Sequence, residues 1–159
     1  MAADIFAKIG DIKGESLDSK HKGEIEVLSW SWGVSNAGSM GTGSGGGTGK
    51  ANFSDLSFQH EMDKASPVLL MACSTGKHYP EATFVARKSG GDQQEYLTVK
   101  LSDVIVTSVS VGHGNGSVPS ESVTLQFAKV ELEYKPQKAD GSLDAGVSYK
   151  YNLKETKTF

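Results

Sequence analysis

Cysteine is almost missing from this chain: Cys73 stands alone among 159 residues. A lone thiol excludes an intramolecular disulfide and any paired-cysteine zinc or redox site. Its neighbours Leu69, Leu70, Met71 and Ala72 predict a buried, inert side chain. Long apolar runs are missing too, so no membrane span or insertion is expected. The first ten residues lack a basic leader, an apolar core and a cleavage site, and read as a first strand. The expectation is synthesis in the cytoplasm, with any export by a route that uses no cleavable signal peptide. Charge of one sign is nowhere concentrated: 16 Lys and Arg are interspersed with 19 Asp and Glu, for a net charge of -3. That leaves no electrostatic footprint for nucleic acid. The length suits one domain, residues 1–159, whose core needs no metal or crosslink.

The groupings that carry chemistry are equally scarce. His21, His60, His78 and His113 are scattered, with no pair at ligand spacing on one element, so no metal site is expected. Three of them read as surface or turn residues, and His60 as a residue packed on a strand face. No serine occupies a Gly-x-Ser-x-Gly elbow. Gly41-Thr-Gly43-Ser-Gly-Gly46 formally fits a dinucleotide fingerprint, but a strand is expected after it, where pyrophosphate binding needs a helix N-terminus. Gly49-Lys50 is followed by Ala51, which breaks the phosphate-loop pattern. Glu61 and Asp63 precede a helix and serve its positive end. No catalytic, cofactor-binding or metal residue is nominated.

What the chain does have is alternation. In Gly23-Glu-Ile-Glu-Val-Leu-Ser-Trp-Ser-Trp-Gly-Val-Ser-Asn36, the residues Leu28, Trp30, Trp32 and Val34 alternate with Ser29, Ser31, Gly33 and Ser35. A period of two places those sets on opposite faces of a strand. The tryptophan face is expected to be buried and the serine face to be small, neutral and wettable. Further strands are expected over 5–9, 53–62, 81–88, 95–102, 104–112, 121–135 and 147–153. Apolar register slips near Val27, and again between Phe127 and Val130, predict bulges or bends. The fold class is mainly β: a single β-barrel of two packed antiparallel sheets, with one short flanking α-helix and a long glycine-rich loop. The helix is expected over 67–75, with Ser66 as N-cap, Pro67 at its first position and Gly76 ending it. Residues 36–50 hold seven glycines in fifteen, which predicts a loop projecting from the barrel rim.

Three blocks carry a resemblance to a known family. They are Gly10-Asp-Ile-Lys-Gly-Glu-Ser16 through His21-Lys-Gly-Glu-Ile-Glu-Val-Leu-Ser-Trp-Ser-Trp32; His60-Glu-Met-Asp-Lys-Ala-Ser-Pro67 with Cys73-Ser-Thr-Gly-Lys-His78 and Ala82-Thr-Phe-Val-Ala-Arg-Lys88; and Val123-Thr-Leu-Gln-Phe-Ala-Lys-Val-Glu-Leu-Glu-Tyr134. In these the chain resembles the haemolysin-coregulated protein (Hcp) family, the tube component of bacterial type VI secretion systems. The resemblance implies a barrel subunit assembled into a hexameric ring with a wide channel. Rings stack into a tube inside a sheath, topped by a spike protein, and carry small effector proteins; no cofactor is implied and no fused toxin domain is expected. Ser39, Met40, Gly41, Thr42, Gly43 and Ser44 are the candidates for ring stacking, as a reaching arm. Ser29 and Ser31 are the candidates for the channel wall, against an ordinary solvated face. The competing expectation is a monomeric small-ligand barrel with the tryptophans around a cavity. A hydrolase with an unrecognised triad stands behind that, with no pair of residues to nominate.

Overall fold

The computed structural model describes residues 3–38, 40 and 48–159. Among them the chain forms β1 (Ala3–Ile9), β2 (Ile25–Val27), β3 (Ser29–Ser31), β4 (Val34–Gly38), β5 (Thr48–Phe53), β6 (Leu56–Glu61), α1 (Ala65–Thr75), β7 (His78–Lys88), β8 (Glu95–Gly112), β9 (Ser120–Gln126), β10 (Lys129–Tyr134), β11 (Val147–Asn152) and β12 (Lys157–Thr158). Every strand pair is antiparallel.

β8 is the spine of the molecule. The sequence predicts two strands here, but the structure has one, bent at a single residue. Residues 97–102 pair with β10, and residues 105–112 pair with β9. Between them Asp103 adopts φ 55, a left-handed conformation that aspartate tolerates better than most residues. β2 and β3 are likewise one strand that changes partner at Leu28, close to the bulge expected near Val27. β2 pairs with β1 and β3 with β6, and Leu28 N donates to Gln59 O at 2.8 Å. The hydrogen-bonded path β1–β7–β8–β9–β6–β3 therefore returns to β1 through that bend. The second predicted slip is a full break: Phe127 and Ala128 separate β9, inside the barrel, from β10, which builds a flange with β11 and β12.

The interior is filled by side chains. Phe58, Phe84, Leu56, Leu101, Leu125, Ile9 and Ile25 are fully buried, each contributing roughly 1.5–3 kcal/mol from burial. The helix covers this core with Leu69 and Ala72 and ends at Gly76, φ 67, whose N–H bonds Ala72 O. It starts earlier than the sequence predicts, at Ala65, with Lys64 in the cap position and no capping bond from its side chain. Asp63 supplies that bond instead: its Oδ1 accepts from Ala65 N at 2.8 Å, while Ser66 Oγ accepts from Asp63 N at 3.1 Å. Ser66 thus braces the turn from inside the helix, in the reciprocal manner of a capping box. Cys73 is half-buried.

The tryptophan face is a correction. Trp30 and Trp32 are only half-buried, while Leu28 and Val34 are 60% and 49% exposed. The bend turns Leu28 outward, and Val34 belongs to the β4–β5 hairpin, which pairs only with itself. Trp32 sits at the barrel margin against Phe53, Phe127 and Tyr149, and its Nε1 donates to Ser54 O at 2.9 Å. Both ends of the predicted loop 36–50 are strand, since Asn36 pairs with Ala51 and Gly38 with Thr48.

Candidate functional site

The strand register sorts side chains into rows. Trp30, Phe58, Val123 and Val109 form one row across β3, β6, β9 and β8, facing the core. The rows on either side face the other way. One runs Ser29, Gln59, Ser122, Ser110; the next runs Ser31, Ser57, Thr124, Ser108. Eight positions on four strands thus carry no charge and no large apolar group. Within this face Ser108 Oγ and Thr124 Oγ1 lie 2.6 Å apart, and Thr107 Oγ1 lies 2.7 Å from Thr124 Oγ1. Ser29 and Ser31, both exposed, are the first-strand members of these rows. Sequence reasoning missed the other six. Their signal was present in the same alternation, as in Leu56-Ser-Phe-Gln-His60 and Glu121-Ser-Val-Thr-Leu125.

The flange side of the barrel is built from the same alternation with different chemistry. Lys8, Thr83, Lys100, Glu131 and Lys150 form one outward row across β1, β7, β8, β10 and β11. Lys100 Nζ lies 3.0 Å from Glu81 Oε1, and that partner pushes the Lys100 ammonium pKa up.

Residues 10–24 form a strap across the outer side of β1. Phe6 faces outward, yet it is buried, because His21 stacks on it at 4.5 Å and the Arg87 guanidinium lies 4.8 Å from its ring centre. The sequence predicts a surface or turn position for His21, but it is only 7% exposed, because the strap folds it onto β1. Its Nδ1 lies 3.0 Å from Glu24 Oε2 and its Nε2 2.8 Å from Glu95 Oε1. Arg87 grips the strap through Asp18 with two bonds of 2.9 and 2.5 Å, and this holds the Asp18 carboxyl at about 2, well below its ordinary range. Glycine is required at 14, where an added Cβ would stand 2.5 Å from Glu24 O.

Of the stacking candidates, Met40 is described and is 80% exposed. Ser39, Gly41, Thr42, Gly43 and Ser44 lie outside the described residues.

Comparison with known proteins decides the family. The type VI secretion system effector, Hcp, family matches residues 6–134. Protein hcp1 of Pseudomonas aeruginosa is 54% identical over 158 residues, covering 98% of each chain. The chain belongs to the Hcp family. The crystal structure of Hcp1 from Salmonella typhimurium superposes with a TM-score of 0.80 at 38% identity, covering 100% of both chains. A solved type six secretion system protein superposes with a TM-score of 0.93 at 33% identity, covering 99% of this chain and 100% of that one.

Set within an Hcp fold, the most reactive-looking pair has a structural position. His60 and Glu121 face each other across β6 and β9, both fully buried, with Nε2 and Oε1 2.6 Å apart. Asp63 approaches His60 Nδ1 at 3.9 Å, and burial raises the Asp63 carboxyl pKa. The pair sits behind the hydroxyl face, tying two strands together beside the helix start. Glu121 was not anticipated as its partner, although it occupies a core position in the alternation with Val123 and Leu125. Among the described residues no three histidine, cysteine, aspartate or glutamate side chains converge to hold a metal, and no helix is long and apolar enough to cross a membrane.

Proposed function

We propose that six copies of this chain form a ring whose channel wall is the hydroxyl face, and that the rings stack into the tube expelled by a type VI secretion system. What carries this reading is the pair of neutral rows led by Ser29 and Ser31. A wall without charge or large apolar groups holds small effector proteins weakly and releases them, whereas an apolar wall would retain them. Rings close when one patch meets a different patch on the next copy, and stacking needs matched upper and lower faces. Residues 36–50, with Ser39, Met40, Gly41, Thr42, Gly43 and Ser44 at their centre, are the arm that reaches the next ring. The sheath and the spike protein are the remaining partners. The subunit assembles in the cytoplasm, is then secreted, and works by transport rather than bond-breaking, without cofactor, nucleic acid or membrane insertion.

The test is electron microscopy and mass measurement on the purified chain, which should give six-subunit annuli. Ser31→Glu should leave the annuli intact and reduce co-purified effector. Deleting residues 39–48 should preserve rings and stop tube growth. A monomer at high concentration would end the reading.

A further inference from the structure

Two glycines in this chain follow a side chain that backbone nitrogen can attack: Gly116 follows Asn115, and Gly141 follows Asp140. In each pair the glycine nitrogen can close a five-membered ring with the side-chain carbonyl carbon, and glycine has no Cβ to crowd that approach. The structure treats the two pairs in opposite ways. At Asp140 both reactants are tied down. Its Oδ1 accepts from Ser142 N at 3.0 Å and from Ser142 Oγ at 2.6 Å. Those bonds hold the carboxyl pKa below its ordinary value and keep it ionised, a poor electrophile. Gly141 N donates to Lys138 O at 3.0 Å, so the nucleophile is occupied as well.

The Asn115 turn is clamped at its shoulders and open at its tip. Ser117 N donates to Gly114 O at 3.1 Å. Ser117 Oγ donates to the same oxygen at 2.9 Å and accepts from Gly114 N at 3.2 Å, while His113 Nε2 donates to Ser117 O at 2.9 Å. Gly116 has φ 81 and Asn115 a negative φ, which together make a type II turn. The closing bond of such a turn uses the nitrogen of its fourth residue and leaves that of the third free. Among the described residues, neither Gly116 N nor the Asn115 side chain makes a hydrogen bond, and both residues are exposed. A Cβ added at 116 would meet nothing within 4 Å, so no neighbour guards the tip. The other asparagines differ. Asn36 and Asn52 lie in the paired strands β4 and β5, and the buried Asn152 has its Oδ1 held by Lys154 N and Glu155 N, each at 3.0 Å.

We propose that Asn115 is a site of spontaneous deamidation, at which the folded chain acquires a carboxylate with age and without an enzyme. The Gly116 nitrogen bonds to Asn115 Cγ as the Cγ–Nδ2 bond breaks. Nδ2 leaves as ammonia with the proton that Gly116 N gives up. Water then opens the cyclic imide at either carbonyl, giving aspartate or its β-linked isomer, and nothing is oxidised or reduced. The ladder places this site at one end of the hydroxyl face: β8 and β9 enter the turn through the pair Gly112 and Ser120, just beyond Ser110 and Ser122. The reaction therefore adds beside that neutral face a negative charge that the sequence does not encode. The β-linked isomer also lengthens the turn by one backbone atom. None of this depends on the tube reading.

The test incubates the folded full chain in heavy-oxygen water at mildly alkaline pH and maps the tryptic peptide 101–129, in which Asn115 is the only asparagine. Steady conversion is expected to two products, aspartate and its β-linked isomer, each carrying one heavy oxygen, with the isomer labelled by an isoaspartyl methyltransferase. Peptide 139–150, which holds Asp140, should stay unchanged over the same period. Gly116→Ala should slow conversion about tenfold by crowding the nitrogen, and Asn115→Gln, which would need a six-membered ring, should stop it. The excised peptide 101–129 supplies the rate without the fold. A folded chain that keeps Asn115 while the excised peptide converts overturns the proposal. So does conversion to aspartate alone, or isomerisation at Asp140 as fast as conversion at Asn115.

Discussion

The sheet of β3, β6, β9 and the second half of β8 shows its surroundings two rows of serine, threonine and glutamine. On the β1–β7–β8–β10–β11 side, the row in the equivalent position reads Lys8, Thr83, Lys100, Glu131, Lys150. Both sheets share one spine strand and one core, and both obey the same alternation, so packing demands nothing different of their outer faces. The flange side adds a strap locked by Arg87, which covers an outward phenylalanine and holds Leu17 out. The hydroxyl side carries no such cover. Charge and pinned anchors make fixed, oriented contacts. Neutral hydroxyls leave partners of either sign equally welcome. The difference fits a subunit with fixed neighbours on some surfaces and interchangeable cargo on another.

The comparison can be broken most severely from beneath the hydroxyl face. His60→Leu should cost about 3 to 5 kcal/mol in urea unfolding, because it leaves the Glu121 carboxylate buried without a partner. The double change His60→Leu with Glu121→Leu should recover most of that loss. A single variant as stable as wild type would show that the pair does not hold β6 to β9.

On the flange side, Arg87→Met should free the strap while the barrel persists. Trypsin should then cut rapidly after Lys20 and Lys22, and an unchanged digestion rate would remove Arg87 from its role as lock. The same lock is sensitive to acid in one direction. Asp18 has its pKa depressed in the folded chain to about 2 from 3.8, so its stabilisation is complete above the unfolded value and is lost as pH falls from near 4 through 2. Hydrogen exchange in residues 10–24 should quicken over that window, and Asp18→Asn should abolish the pH dependence.

The corner between the two sheets gives a smaller effect. Asp103→Val forces a β-branched residue into positive φ and should cost roughly 1 to 2 kcal/mol, whereas Asp103→Gly should be close to neutral. The smallest stability effect belongs to the hydroxyl face: Ser31→Glu or Ser122→Lys should change unfolding free energy by no more than about 0.5 kcal/mol. Each should nevertheless make effector capture depend on salt and on the sign of the effector's charge. Capture that stays independent of salt in both variants would separate this face from cargo.

Much of this was legible along the chain. Alternation located most strands, and the slips near Val27 and Phe127 marked a bend and a break. Gly76 ended the helix as its conformational freedom predicts. The start of the helix was read at Ser66 because a hydroxyl before proline looks like a cap; the turn is instead made by Asp63, with Ser66 answering from within. Burial of the tryptophan face was overestimated because alternation says which residues share a side, not whether another element arrives to cover it.

Local pattern, then, determined that this chain is a β-protein, that Ser29 and Ser31 oppose the tryptophans, and that a glycine-rich segment interrupts the run of strands. It did so because a strand's two-residue period depends only on neighbours in the chain. Tertiary structure alone decided that Ser31, Ser57, Thr124 and Ser108 stand in one row, that His60 meets Glu121, and that His21 and Arg87 close over Phe6. Those meetings depend on strand register and on a strap folding back across distant sequence, and neither is written in the spacing of adjacent residues.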